Sequence, residues 1–217
     1  MNILIYGDSN TCGYMPNVNG YSKNAKQSFY DNKDVWWFEL TKENKVVVNA
    51  LCGRAINNEH PVFENRNASK TIQKDIGGIR PDLTILMLGT NDLKSLYGES
   101  AQNVVNNLKN LIERMEDITY SKEFLVISPP QIVEGTAVTD KHYVGACAKS
   151  VELDFLCRHM CRKCGYHFVS GLNLEVGEDG EHLTKNGHKE LSKRVCKKVL
   201  EIKKTNLQQS KERVQSL

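Results

Sequence analysis

Short apolar runs alternate along this chain with helical patterns, and two of those runs stop abruptly in turns of small and polar residues. Ile3-Leu4-Ile5-Tyr6 leads into Gly7-Asp8-Ser9-Asn10, and Leu83–Leu88 leads into Gly89-Thr90-Asn91-Asp92. Near-continuous apolar strands separated by helices are buried on both faces, which predicts a parallel sheet covered on each side. Val46–Asn49, Phe124–Ser128 and His167–Val169 supply three further strands. The helical patterns lie near Val35–Lys42, Ser69–Gly77, Val104–Met115, Asp140–Cys164 and Thr184–Lys204. In the last, Thr184 reads as the N-cap and Leu191, Val195, Val199 and Ile202 face inward. The expected architecture is a three-layer α/β/α sandwich around a five-stranded parallel sheet. Residues 1–204 form a single domain, and residues 205–217 form a polar tail expected to fray.

Such a sheet carries its chemistry outside the carboxyl ends of the strands. Ser9 and Asn91 therefore fall on one rim. A serine in that position is a turn residue or a nucleophile, and the decision rests on whether a base, an orienting acid and oxyanion donors accompany it. Asp179-Gly180-Glu181-His182 places a carboxylate three residues before an imidazole. In one helical turn or a tight loop, the acid then binds one ring nitrogen and leaves the other free. Taken alone, this segment reads first as a polar loop before a helix. Gly53, after the second strand, is a turn glycine or a backbone N–H that approaches a ligand closely. Asn91 is a turn former or an amide donor to a developing oxyanion.

Composition narrows the alternatives. Hydrophobic residues make up 40% and charged residues 25% of the 217, as in soluble globular domains. A net charge of +3 is too mild for a nucleic-acid binder, and no basic stretch interleaves with aromatics. No run approaches the ~18 apolar residues of a membrane span. Seven cysteines, an odd number without a secreted framework, and a start directly on a strand point to a cytoplasmic protein.

Taken together, the blocks IYGDSNTCG, NALCGRA, LMLGTNDLK and DGEHLTKNGH resemble, in order, those of the SGNH (GDSL-type) hydrolase superfamily. The resemblance covers nearly the whole chain and is nearest to the arylesterase-like branch. It implies a flavodoxin-like fold and a serine esterase acting on short-chain acyl esters through an acyl-enzyme. By that resemblance Ser9 is the nucleophile, His182 the base and Asp179 the residue that orients it. The Ser9 and Gly53 N–H groups and the Asn91 side chain form the oxyanion hole, while Asp8 anchors the turn. No cofactor or metal is implied, and the partner is a small ester, with homo-oligomerisation left open. Cys12 replaces an aromatic residue frequent in the branch. Ala50 and Ala55 stand where Glu and Thr are common, which leaves substrate preference open between esters, thioesters and sugar acetyl groups. A non-catalytic binding module of the same fold is the alternative from another class.

Three features stay outside that set. Cys157, Cys161 and Cys164 have helical spacing and, with His167, the donor types of a zinc site, but apolar neighbours favour core packing. His188 reads as a helix-surface or packing residue. Tyr14, Phe29, Tyr30, Trp36 and Trp37 are candidates for a pocket wall, with core packing expected for at least one tryptophan.

Overall fold

A computed structural model describes residues 1–17, 28–121 and 123–215. Five parallel strands, β1 (Asn2–Gly7), β2 (Lys45–Ala50), β3 (Leu83–Met87), β4 (Phe124–Ile127) and β5 (His167–Val169), form one sheet in the order β2-β1-β3-β4-β5. Along β1 the side chains alternate between faces. Leu4 and Tyr6 join one apolar cluster, with Leu86, Phe124 and Val126, under helices α2 (Ala68–Ile76), α3 (Ala101–Thr119) and α5 (Ala146–Cys164). Ile3 and Ile5 join the other, with Ile85, Leu125, Ile127 and the buried face of helix α6 (Lys185–Gln215). The three-layer sandwich follows from this alternation. The strand order reverses beside β1, so the crevice at the ends of β1 and β3 is the switch point where such sheets bind ligands.

Local signals set the helix ends. Ser100 accepts from the Asn103 N–H at the start of α3, and Thr184 Oγ1 accepts from the Gly187 N–H at the start of α6. Leu191, Val195, Val199 and Ile202 are buried as their spacing demands. Cys157 and Cys161 pack into the α5 side of the core, where burial pushes both thiols upward, Cys161 to about 12. Among the described residues, no helix is long and apolar enough to cross a membrane.

Three helical expectations need correction. The stretch 140–164 is not one helix. A short helix α4 (Thr139–His142) stops at Tyr143, and Gly145 takes a left-handed φ of 73° before α5 begins. Over 35–42 the chain forms a turn and a 3₁₀ segment, Phe38–Lys42, rather than an α-helix. That path buries both Trp36 and Trp37, and Trp37 Nε1 donates to the Thr11 carbonyl at 2.8 Å. Beyond Lys204 the helix α6 continues to Gln215, so the polar segment is helical there.

His188 is a packing residue, fully buried in α6 with its ring edge-on to Tyr30 at 5.4 Å. Burial, with His182 adding to it, pushes its pKa down to about 4. The unfolded chain takes up this proton near ~6.5, so stability is present above that pH and lost as pH falls toward 4. His188→Leu is expected to remove about 2–3 kcal/mol of acid sensitivity across that window, measured by urea melts at pH 7 and pH 4.5. An unchanged difference between the two melts would show that His188 does not cause it.

Candidate active site

The turn after β1 is a single helical turn, α1 (Ser9–Cys12), capped by the Asp8 side chain, which accepts from the Asn10 N–H at 3.0 Å. Asp8 is fully buried, and desolvation pushes its carboxyl up to about 7. Asn10 ties this turn to the far end of the chain. Its Nδ2 donates to the Glu181 carbonyl at 3.1 Å, and its Oδ1 accepts from the Leu183 N–H at 2.9 Å. These two bonds set the 179–182 segment beside Ser9.

That segment is a tight loop after β5. Gly180 has a φ of 75° and passes so near the Val133 carbonyl that a Cβ would sit 2.3 Å from its oxygen. Asp179 closes the loop on itself: its Oδ1 accepts from the Glu181 and His182 N–H groups at 3.2 and 3.1 Å. Its Oδ2 accepts from the Asn17 N–H at 2.9 Å and meets His182 Nδ1 at 2.8 Å. The opposite ring nitrogen, Nε2, is 2.8 Å from Ser9 Oγ. Ser9, Asp179 and His182 thus form one hydrogen-bonded line, all buried, with the Tyr14 ring against the imidazole at 4.7 Å.

The charges around His182 oppose one another. Burial lowers its pKa, but the Glu181, Asp179 and Asp8 carboxylates raise it, and the net direction is upward. Burial likewise disfavours the Asp179 carboxylate, but its bonds to His182 and the backbone hold it below the usual range. A serine hydroxyl, an oriented imidazole and a carboxylate in this order can move a proton off Oγ during attack on a carbonyl.

Gly53 and Asn91 lie at the ends of β2 and β3, on either side of Ser9. Gly53 has a φ of 79°, and a Cβ there would stand 3.1 Å from the His60 ring. Asn91 Nδ2 donates to the Arg54 carbonyl at 3.1 Å, which fixes the amide and leaves a second N–H. Asp92, buried and raised to about 6 mainly by desolvation, accepts from the Ile56 N–H at 3.0 Å and from Asn58 at 3.1 Å. It staples the Gly53 loop to the Asn91 turn. Arg54 supports the same loop from below, donating to the Gly7 and Asn49 carbonyls at 3.0 and 2.8 Å.

Beside this line of residues opens a cavity of about 170 Å³, with Glu181, Tyr143, His60, Lys94 and His142 among its walls. Tyr14 packs on the site, whereas Trp36 and Trp37 belong to the core, Trp37 bracing α1 through Thr11. Sequence reading overlooked Asn10, Asp92, Arg54 and Glu181, although each lies inside a quoted block beside a residue that was singled out. Tyr143 carried no signal, since it sits where a helix was expected. Among the described residues, no three His, Cys, Asp or Glu side chains are grouped to hold a metal ion.

Solved structures similar to this one share the fold at low identity. The M. smegmatis aryl esterase is 23% identical with a TM-score of 0.82, over 92% of this chain and 98% of its own. A carbohydrate acetylesterase from Sinorhizobium meliloti is 22% identical with a TM-score of 0.82, over 93% and 99%. An acetyl-xylooligosaccharide esterase from Geobacillus is 14% identical with a TM-score of 0.64, over 91% and 93%. No curated protein matches the sequence. A family model does match, over residues 5–190, from within β1 to the first turns of α6, so every block discussed above lies inside it. The chain belongs to the GDSL-like lipase/acylhydrolase family and is a serine ester hydrolase.

Proposed function

We propose that the protein hydrolyses short-chain acyl esters through a Ser9–His182–Asp179 triad and an acyl-enzyme. The observation that carries this reading is the unbroken line from Asp179 Oδ2 to His182 Nδ1 and from His182 Nε2 to Ser9 Oγ, each step 2.8 Å. His182 takes the Ser9 proton as Oγ attacks the ester carbonyl. The oxyanion is held by the Ser9 and Gly53 N–H groups and the free N–H of Asn91. The collapsing intermediate expels the alcohol, which His182 protonates, and water repeats the sequence on the acyl-enzyme. No step needs a metal. The short-chain preference rests on the resemblance of the Ser9 and Asn91 blocks to the arylesterase-like branch. Seven cysteines present as free thiols support a cytoplasmic location.

The test is a panel of p-nitrophenyl acyl esters of increasing length, acetylated sugars and acyl-CoA thioesters. Highest kcat/KM on acetate or butyrate esters is the expected result, and a preference for long chains would overturn the short-chain assignment. A second reading, carbohydrate O-deacetylation, is supported by the likeness to carbohydrate acetylesterases and by the Glu181, His60 and Lys94 groups set among the apolar residues of the cavity wall. It predicts that acetylated sugars outrank the p-nitrophenyl esters.

Asn91→Ala is expected to lower kcat by roughly 10²–10³ with little change in KM, because oxyanion stabilisation belongs to the transition state. A rise in KM alone would mean that Asn91 binds ground-state substrate instead. The base must be neutral to act, and its raised pKa keeps it protonated to a higher pH than a free imidazole. So kcat/KM is expected to fall along an acid limb that lies above the ~6.5 of a free imidazole and to plateau at higher pH. Flat activity from pH 5 to pH 8 would remove His182 from the mechanism.

A further inference from the structure

Glu181 is a buried carboxylate that the triad does not use. Its side chain is 9% exposed, and its Oε1 lies 3.9 Å from His182 Nδ1, on the nitrogen already bonded to Asp179. Three bonds fix it there. The Tyr143 hydroxyl donates to Oε2, the Asn10 amide donates to its carbonyl, and its own N–H donates to Asp179 Oδ1. Tyr143 is fully buried, and burial together with Glu181 holds its hydroxyl protonated, so it remains a donor. The effort of holding an acid at this spot is unexplained by packing, since Glu181 also forms part of a cavity wall.

We propose that Glu181 is a second carboxylate for His182, a positioning residue that shares with Asp179 the stabilisation of the imidazolium formed as Ser9 attacks. This rests on the reading of His182 as the base. Two acids on the Nδ1 side bias the ring toward the protonated form and hold the proton until the leaving alcohol takes it. The consequence is an acid limb set higher than one carboxylate would place it.

The other groups around the ring come from separate elements. Asp8 contributes from the β1–α1 turn and adds to the upward push. Tyr14 contributes an aromatic face, and Ser9 occupies Nε2. His188 in α6 feels the His182 charge but is itself neutral above about pH 4. Lys94 and His142 line the cavity beyond Glu181; Lys94 Nζ lies 5.9 Å from the centre of the Tyr143 ring, and His142 feels the Glu181 charge.

The experiment follows the His182 ring Cε1 proton by NMR from pH 4 to pH 9 in wild type and Glu181→Gln, assigned by its loss in His182→Asn. The kcat/KM profile on p-nitrophenyl acetate is measured alongside. In Glu181→Gln the titration is expected to move to lower pH. Activity at pH 5.5, as a fraction of its own plateau, should then rise at least about threefold. The plateau kcat should fall as the imidazolium loses support. A residue that merely holds Tyr143 would lower activity equally at every pH and leave the titration in place. That result, or a titration moved upward, overturns the proposal. If Glu181→Gln lacks the native circular dichroism, Glu181→Ala removes the same charge and is read in the same way. The NMR titration needs no turnover, so it decides this point even if Ser9→Ala shows that the esterase mechanism is wrong.

Discussion

Replacing Ser9 by alanine is expected to lower kcat on p-nitrophenyl acetate by about 10⁴–10⁶, with little change in KM. The size follows from chemistry rather than binding. Oγ is the atom that bonds to the acyl group, and without it water must attack directly, unactivated by a base positioned for Oγ. What survives is the oxyanion hole, if Gly53 and Asn91 act as proposed. Ser9 is buried, and its hydroxyl bonds to His182, so alanine removes one hydrogen bond and one oxygen atom with no steric conflict. Circular dichroism and melting temperature should therefore stay close to wild type. A folded Ser9→Ala protein with wild-type kcat would remove Ser9 as the nucleophile and require another group to attack the ester.

Asp179→Asn is the second large effect, a loss in kcat on the order of 10⁴. Asp179 serves four donors with two oxygens: the Glu181 and His182 N–H groups on Oδ1, and the Asn17 N–H and His182 Nδ1 on Oδ2. An amide offers one oxygen. If that oxygen stays with the loop N–H groups, the NH₂ faces the ring and Nδ1 must accept. The proton then moves to Nε2, which faces Ser9 and can no longer take its proton. If the amide turns over, the tautomer is kept, but two loop N–H groups lose their acceptor and the NH₂ lies among donors. Both outcomes disable the base. The measurement is kcat at the pH plateau, with the His182 ring proton signals reporting the tautomer. Near-wild-type kcat in Asp179→Asn would mean that the imidazole is oriented by another group, and Glu181 would be the first to examine.

The strands were legible because a parallel strand buried on both faces needs little but apolar side chains, and such runs are visible in one dimension. Ile3–Tyr6 and Leu83–Leu88 are of this kind, and β1 and β3 lie over them. The helix between Asp140 and Cys164 misled for the opposite reason. A helical spacing tolerates a glycine, so nothing in the local pattern shows that Gly145 turns left-handed or that Tyr143 leaves the helix to reach Glu181. Core packing was expected for at least one of the two tryptophans, because neighbours on a helix point apart; the turn at 35–37 lets both go inward.

By itself, the sequence determined the strands, the sandwich they form and the residue types offered around the strand ends: Ser9, Gly53, Asn91, Asp179 and His182. These are local properties, written in runs and turns of a few residues. Only the tertiary structure decided what those residues touch. The order β2-β1-β3-β4-β5 sets the ends of β1, β2 and β3 side by side. Asn10 then bonds across 171 positions to bring the 179–182 loop against the first turn. Asp92 spans 36 positions to join the Gly53 and Asn91 turns. Glu181 becomes a neighbour of the imidazole in the same way, through a tyrosine 38 positions earlier. Hydrogen bonds over such separations depend on how the sheet is ordered and how its loops are anchored, and no spacing within a short stretch of chain encodes that.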